Sequence, residues 1–281
     1  KKMTKAGKCP PLLKGKNYVM FFHKPSLRTR LSFEVGIQQL GGGSMVLSEQ
    51  DFKIGKRETV KDIARVMSRY VDGILIRTFS HQMVLELANY ASVPVVNMLT
   101  DFSHPCQIIS DLFTINEKLG QLDNFKLAYL GDCNNVTNSW LNLATRIPID
   151  LRIATSPQTL PDMELVNNVK RSGVSKIKIT HSLEEAIDGA EILYTDVWAS
   201  MGEKEKIHEK EKVLKGFQIN SNILKLADKK VIIMHCLPAE RNKEITNEVL
   251  EGSHSVVFDQ AENRLHAQKG ILVQLNKWLS A

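Results

Sequence analysis

The sequence predicts an α/β protein of two domains, each a parallel β-sheet flanked by helices. Three observations predict it. Short apolar runs of β-forming residues alternate with stretches whose apolar residues recur at helical spacing. Polar residues with donor chemistry follow those runs, where parallel sheets gather ligands at their carboxyl ends. The length of 281 residues suffices for two cores.

Tyr18 to Phe22 is the first apolar run, and Pro25 breaks it. Ser26 then stands at an N-cap position, with Phe33, Ile37 and Leu40 following at helical spacing and Gly41, Gly42 and Gly43 ending the helix. First-turn N–H groups and the helix dipole favour an anion there. Ser26 and Thr29 add hydroxyls, and Arg28 and Arg30 add guanidinium forks that match phosphate oxygens. Asp72 to Ile76 reads as a strand with Arg77 at its carboxyl end. Val95 to Met98 reads as the next, with His104 and Gln107 just beyond, three apart at a helix start and so able to face one ligand.

The second half repeats the rhythm. Lys126 to Leu130 is a strand ending in a turn at Gly131, followed by a helix with Trp140 and Leu143. Ile192 to Thr195 ends at Asp196, and Val231 to Met234 ends at His235. A dinucleotide-binding unit is disfavoured, because Gly131-Asp132-Cys133-Asn134-Asn135 lacks G-x-G-x-x-G. Asn263 to Ser280 is amphipathic, with Leu272, Leu275 and Leu279 on one face.

Bulk properties exclude more than they assert. The net charge of +6 comes from basic residues scattered among 31 acidic ones, without an aromatic–basic platform, so nucleic acid is not an expected partner. Four cysteines, Cys9, Cys106, Cys133 and Cys236, show no C-x-x-C spacing, which argues against a disulfide framework or a structural zinc site. No apolar stretch approaches the roughly 18 residues of a transmembrane helix. No signal-peptide pattern is present.

From about Leu13 to about Leu279 the chain resembles the aspartate/ornithine carbamoyltransferase family. The family's S-T-R-T-R signature stands here as Ser26-Leu27-Arg28-Thr29-Arg30, and its H-P-x-Q as His104 to Gln107. Asp196 to Gly202 matches the D-x-x-x-S-M-G loop of the ornithine branch. Gly131 to Asn135 resembles its G-D-G-N-N turn, His235 to Pro238 its H-C-L-P, and Glu262-Asn263-Arg264 its E-N-R.

The resemblance implies an active site in the cleft between the domains. It implies a carbamoyl-phosphate-binding domain over 1–118, an ornithine-binding domain over 119–258 and a C-terminal helical segment over 259–281 that returns to the first domain. Carbamoyl phosphate would be bound by Ser26, Leu27, Arg28, Thr29, Lys53, Arg77, His104, Gln107 and Arg264. Ornithine would be bound by Asn135, Asp196, Ser200, Met201, Cys236 and Leu237. Arg77, His104, Asp196, Cys236 and Arg264 would carry catalysis. The guanidinium and imidazole groups would stabilise the carbonyl oxygen and leaving phosphate, and the carboxylate and thiol would settle the acceptor amine in its neutral form. No metal or cofactor is implied. A cytoplasmic homotrimer is.

The chain departs from the family at three positions. Leu27 replaces a threonine that offers mainly its backbone N–H. Cys133 replaces a glycine, which narrows the turn's backbone freedom. Lys53 stands where the ornithine branch more often has Gln or His, in a loop expected to enter a neighbouring subunit's site. Family members also carry a further helix before the equivalent of Leu13, where this sequence has a short polar stub. Two other function classes stand beside the main one: a carbamoyltransferase for putrescine, aspartate or an acylated ornithine, and a non-catalytic relative. The Ser200-Met201-Gly202 loop disfavours the first, and the presence of Arg28, Arg77, Cys236 and Arg264 disfavours the second.

Overall fold

A computed structural model describes residues 1–50, 54–55, 58–199 and 207–279. Contacts divide the chain into two units, Lys1–Ser110 with Glu262–Ala281, and Asp111–Ala261.

The first unit carries α1 (Lys2–Lys5), β1 (Asn17–Phe22), α2 (Leu27–Gln39), β2 (Gly43–Ser48), α3 (Val60–Met67), β3 (Gly73–Arg77), α4 (His81–Tyr90), β4 (Val95–Leu99) and the start of α5 (Pro105–Leu119). Its four strands lie in the order β2-β1-β3-β4, all parallel. β1 is buried on both faces, and its period of two sorts its side chains. Tyr18, Met20 and Phe22 pack with Phe33 and Ile37 of α2, with Leu40 at its end and with Leu272. Val19 and Phe21 pack with Ile63 and Ala64 of α3 and Val84 and Leu87 of α4. Each fully buried side chain of this size contributes about 1.5–3 kcal/mol.

The second unit carries β5 (Lys126–Leu130), α6 (Asn135–Ala144), β6 (Asp150–Ala154), α7 (Met163–Ser172), β7 (Lys176–Thr180), α8 (Leu183–Ile187), β8 (Ile192–Thr195), α9 (Ile207–Leu214), α10 (Ser221–Leu224), β9 (Ile232–His235), α11 (Asn247–Leu250) and the start of α12 (Val257–Leu279). Its five parallel strands run in the order β7-β6-β5-β8-β9. Ala128, Leu130, Leu193 and Ile233 form one inner face. On the other, Tyr129 stacks on Tyr194 at 5.7 Å and Trp140 meets Tyr194 edge-on at 5.8 Å. The strand order reverses direction at β5 and β8, so the carboxyl ends of these two strands open a crevice suited to a ligand.

Several boundaries differ from the sequence reading. Arg77 is the last residue of β3, because the strand keeps pairing through Phe22↔Arg77. His235 closes β9 rather than following it, paired with Thr195. The last helix starts at Val257, six residues before Asn263, and the polar stub at the amino end holds the short helix α1. Among the described residues no helix is long and apolar enough to cross a membrane.

Candidate active site

In the first unit, Pro25 and the extended Ser26 (φ −161°) turn the chain from β1 into α2. Ser26 Oγ accepts from Thr29 N at 3.3 Å and donates to Thr29 Oγ1 at 3.0 Å. The cap fixes the first turn, whose N–H groups have no partner within the helix. Thr29, itself buried, is where two guanidinium groups meet. Arg77 Nη1, from the end of β3, donates to Thr29 Oγ1 at 3.2 Å, and Arg264 Nη2, from α12, does so at 3.1 Å. Arg264 Nη1 also donates to Gln107 Oε1 at 2.7 Å. That contact fixes the amide orientation: the oxygen of Gln107 faces Arg264, and its NH₂ lies on the other arm.

His104, from the loop before α5, is buried beside these cations. Burial first, then the charges of Arg264 and Arg77, hold its pKa well below the ordinary 6.5. The imidazole is therefore neutral near pH 7 and keeps one N–H to donate. Leu27 is 71% exposed, so only its backbone can serve the site. Arg30 does not join the cluster: it turns outward to Glu34 at 3.2 Å, an i,i+4 pair that competes with the phosphate role expected of it. One cation escaped the sequence reading. Lys24 is buried two residues before the cap, with Nζ 3.7 Å from Asp101 and 5.2 Å from the centroid of the Phe79 ring.

In the second unit, Gly131 turns at φ +117°, and a Cβ there would lie 3.1 Å from Trp198 Nε1, so the turn requires glycine. Asn134 caps α6, its side chain accepting from Val136 N at 2.8 Å and its Nδ2 donating to Asp196 Oδ2 at 2.8 Å. Asp196 Oδ1 accepts from Val197 N at 2.8 Å and from Cys236 Sγ at 3.0 Å. Asn135, the residue expected to bind ligand, is half-buried at the start of α6. Asn134, its neighbour, is the one that reaches Asp196, and nothing in the local pattern distinguishes it from Asn135. Asp132, buried in the same turn, pairs with Lys210 of α9 at 2.8 Å. Burial pushes the Cys133 thiol up to about 12, so it stays protonated.

The segment after β9 is tightly held. Leu237 N donates to His235 Nδ1 at 2.8 Å, so the ring proton sits on Nε2 and is donated to Glu244 Oε1 at 3.0 Å. Leu237 adopts φ +56° and its bond to Pro238 is cis. Asp196, His235 and Cys236 bring potential ligand atoms within 4.8 Å of one another. Both His235 nitrogens are already engaged, so the trio does not present an imidazole lone pair to a metal. Lys53, Ser200 and Met201 lie outside the described residues.

A helix start and two arginines around a neutral histidine suit a phosphorylated acyl donor. A carboxylate bonded to a thiol suits an amine. The comparisons with known proteins agree. Residues 1–117 match the model of the aspartate/ornithine carbamoyltransferase carbamoyl-P binding domain, and residues 123–275 match that family's Asp/Orn binding domain. The chain therefore belongs to the aspartate/ornithine carbamoyltransferase family. It is 48% identical to the chloroplastic ornithine carbamoyltransferase of Pisum sativum, over 93% of this chain and 70% of that protein. It is 46% identical to the ornithine carbamoyltransferase of Methanoculleus marisnigri, over 98% and 89%. The solved ornithine carbamoyltransferase of Pyrococcus furiosus superposes with a TM-score of 0.91 at 45% identity, covering 96% of this chain and 88% of that one.

Proposed function

We infer that this chain transfers the carbamoyl group of carbamoyl phosphate to the δ-amine of L-ornithine, giving L-citrulline and phosphate. The carrying observation is the meeting of Arg77 and Arg264 on Thr29 in the first turn of α2, in a chain so similar to ornithine carbamoyltransferases.

In this reading the first unit binds carbamoyl phosphate. The α2 N–H groups with Ser26, Leu27, Arg28 and Thr29 hold the phosphate, and Lys24 adds positive potential beneath them. Neutral His104 and the guanidinium groups of Arg77 and Arg264 donate to the carbonyl oxygen, where negative charge grows as the amine adds. Gln107, its oxygen held by Arg264, turns its NH₂ away from that cation. The second unit binds ornithine through Asn135, Asp196, Cys236 and Leu237, with Ser200 and Met201 from the D-x-x-x-S-M-G loop. An ammonium has no lone pair, so the δ-amine must shed a proton before it attacks. The Asp196–Cys236 pair is the group placed to favour the neutral amine. The C–N bond then forms, the C–O bond to phosphate breaks, and the proton lost by the attacking nitrogen leaves with the phosphate, which departs as hydrogen phosphate.

A homotrimer in the cytoplasm, with Lys53 entering a neighbouring subunit's site, is proposed on the family resemblance alone. Steady-state citrulline formation, with ornithine varied at fixed carbamoyl phosphate and with putrescine, aspartate and an acylated ornithine run in parallel, tests the reading. Preference for any of the other three would overturn the acceptor assignment.

A further inference from the structure

Asp111, on α5, is fully buried at 0% exposure. A carboxylate is costly there unless donors surround it. Tyr194 OH donates to its Oδ2 at 2.9 Å and Gln260 Nε2 to its Oδ1 at 2.8 Å. Burial, with the charge of Asp111 next, keeps the Tyr194 phenol well above its ordinary pKa, so it remains a donor. Because the NH₂ end of Gln260 faces Asp111, its oxygen faces the other way and accepts from His235 N at 2.9 Å. Tyr194 stands two residues before Asp196 on β8, and His235 immediately precedes Cys236 on β9. One buried carboxylate thus anchors the ends of both strands that deliver the thiol–carboxylate pair.

We propose that Asp111 is a positioning residue for the acceptor side of the site, setting the Cys236–Asp196 contact through Gln260 and Tyr194. The proposal rests on the carbamoyltransferase reading above. It does not place Asp111 against substrate. Its part is to fix the polarity of the chain of hydrogen bonds that ends at His235 N–H.

Polarity is what the experiment tests. In Asp111→Asn the new amide oxygen can still accept from Tyr194, but its NH₂ then meets the NH₂ of Gln260. Either that clash persists, or Gln260 turns over and sets its NH₂ against His235 N–H, or the asparagine turns over, accepts from Gln260 and sets its NH₂ against the Tyr194 hydroxyl proton. The double variant Asp111→Asn/Gln260→Glu restores the donor–acceptor order along Tyr194, position 111, position 260 and His235 N–H at unchanged net charge, because the introduced glutamate accepts from both the asparagine and His235 N–H. Wild type, single and double variants are compared by kcat/KM for ornithine and Kd for carbamoyl phosphate. The single variant should lose about 100-fold in kcat/KM for ornithine, the order expected when reacting groups are misplaced by about 1 Å. Its carbamoyl phosphate Kd should stay within about twofold of wild type, and the double variant should recover at least about tenfold of the loss. Equal damage to both ligands, no damage, or a double variant no better than the single one would overturn the proposal. Should Asp111→Asn not fold, Tyr194→Phe deletes one donor at constant shape and is judged by the same two numbers: an ornithine-selective loss supports the proposal, and an equal or absent loss overturns it. Wild-type enzyme that makes no citrulline would instead overturn the functional reading.

Discussion

Cys236 Sγ donates to Asp196 Oδ1 at 3.0 Å, and the register of the second sheet is the reason. β8 and β9 are parallel neighbours with Thr195 paired to His235. The residues that follow these strand ends are Asp196 and Cys236. A slip of one residue would carry these side chains to opposite faces of the sheet. The pairing of the two strand ends therefore brings these side chains together where the chain leaves the sheet.

Changing either partner should damage acceptor use selectively. Cys236→Ser keeps a donor but shortens its reach, and about a tenfold loss in kcat/KM for ornithine is expected. Asp196→Asn removes the carboxylate that Cys236, Val197 N–H and Asn134 all address, and about a 100-fold loss is expected. Carbamoyl phosphate Kd should change little in both. For the wild type, apparent ornithine KM should fall as pH rises from about 6.5 to about 8.5, roughly tenfold per unit well below the amine's pKa. A flat KM profile would contradict the deprotonation step. Equal loss for both substrates would make the pair a general support.

The donor side has its own test at Thr29. Thr29→Val is close in shape but withdraws the oxygen that accepts from Arg77 and Arg264. Hydrogen bonds to charged groups are worth about 1.5–3 kcal/mol each. Loss of ordered guanidinium positions should weaken carbamoyl phosphate binding by about 10- to 100-fold while leaving the Cys236–Asp196 contact in place. Arg28→Ala, which removes a fork at the helix start, should abolish most turnover. Calorimetric Kd values for carbamoyl phosphate decide both. Unchanged affinity in Thr29→Val would show that the arginines hold their places without it.

What the sequence disclosed follows from range. β1, the Ser26 cap and the strands ending at Asp196 and near His235 were legible because their signals are local: an unbroken apolar run, a capping residue, a turn. β2 was not, because it lies at the sheet edge and is mostly half-buried, so Gly43 to Ser48 never forms a continuous apolar run. β7 hides for the same reason, with Lys176 and Lys178 alternating outward at the opposite edge. Arg30 looks like a phosphate ligand because it is a fork at a helix start, and only the spacing to Glu34 one turn later signals the surface pair it makes. The Asp111–Gln260 contact spans 149 residues, and no spacing rule reaches that far.

Shared sites can be tested by complementation. With Lys53 proposed to enter a neighbour's site, Lys53→Ala and Arg28→Ala subunits are each expected to be largely inactive. Mixed and exchanged subunits should regain part of the activity if the proposed trimer forms, because some sites then receive both wild-type residues. Activity is measured after subunit exchange has been verified by mass. No recovery from two inactive parents would count against a shared site.

Buried and half-buried imidazoles set how stability responds to acid. His104, His23, His81 and His266 all have pKa values lowered from 6.5, with burial the largest cause in each. Below pH 6.5 the unfolded chain takes up protons that these folded sites refuse, so acid favours unfolding. Their contribution is complete above pH 6.5 and is lost as pH falls beneath it. For fully buried His104 the slope approaches about 1.4 kcal/mol per pH unit while the folded imidazole stays neutral. Asp72 and Glu262, whose carboxyl pKa values lie below their ordinary 3.8 and 4.5, lose their contributions only at lower pH, so the interval from about 6.5 to about 5 isolates the histidines. Scanning calorimetry at about pH 7.5, 6.5 and 5.5 should show Tm level over the first step and falling over the second. His104→Gln, which cannot titrate, should flatten that fall, although it lowers activity by removing the neutral donor at the carbonyl oxygen. An unchanged slope in the variant would mean that His104 takes up its proton in the folded protein, and its role as a neutral donor would go with it.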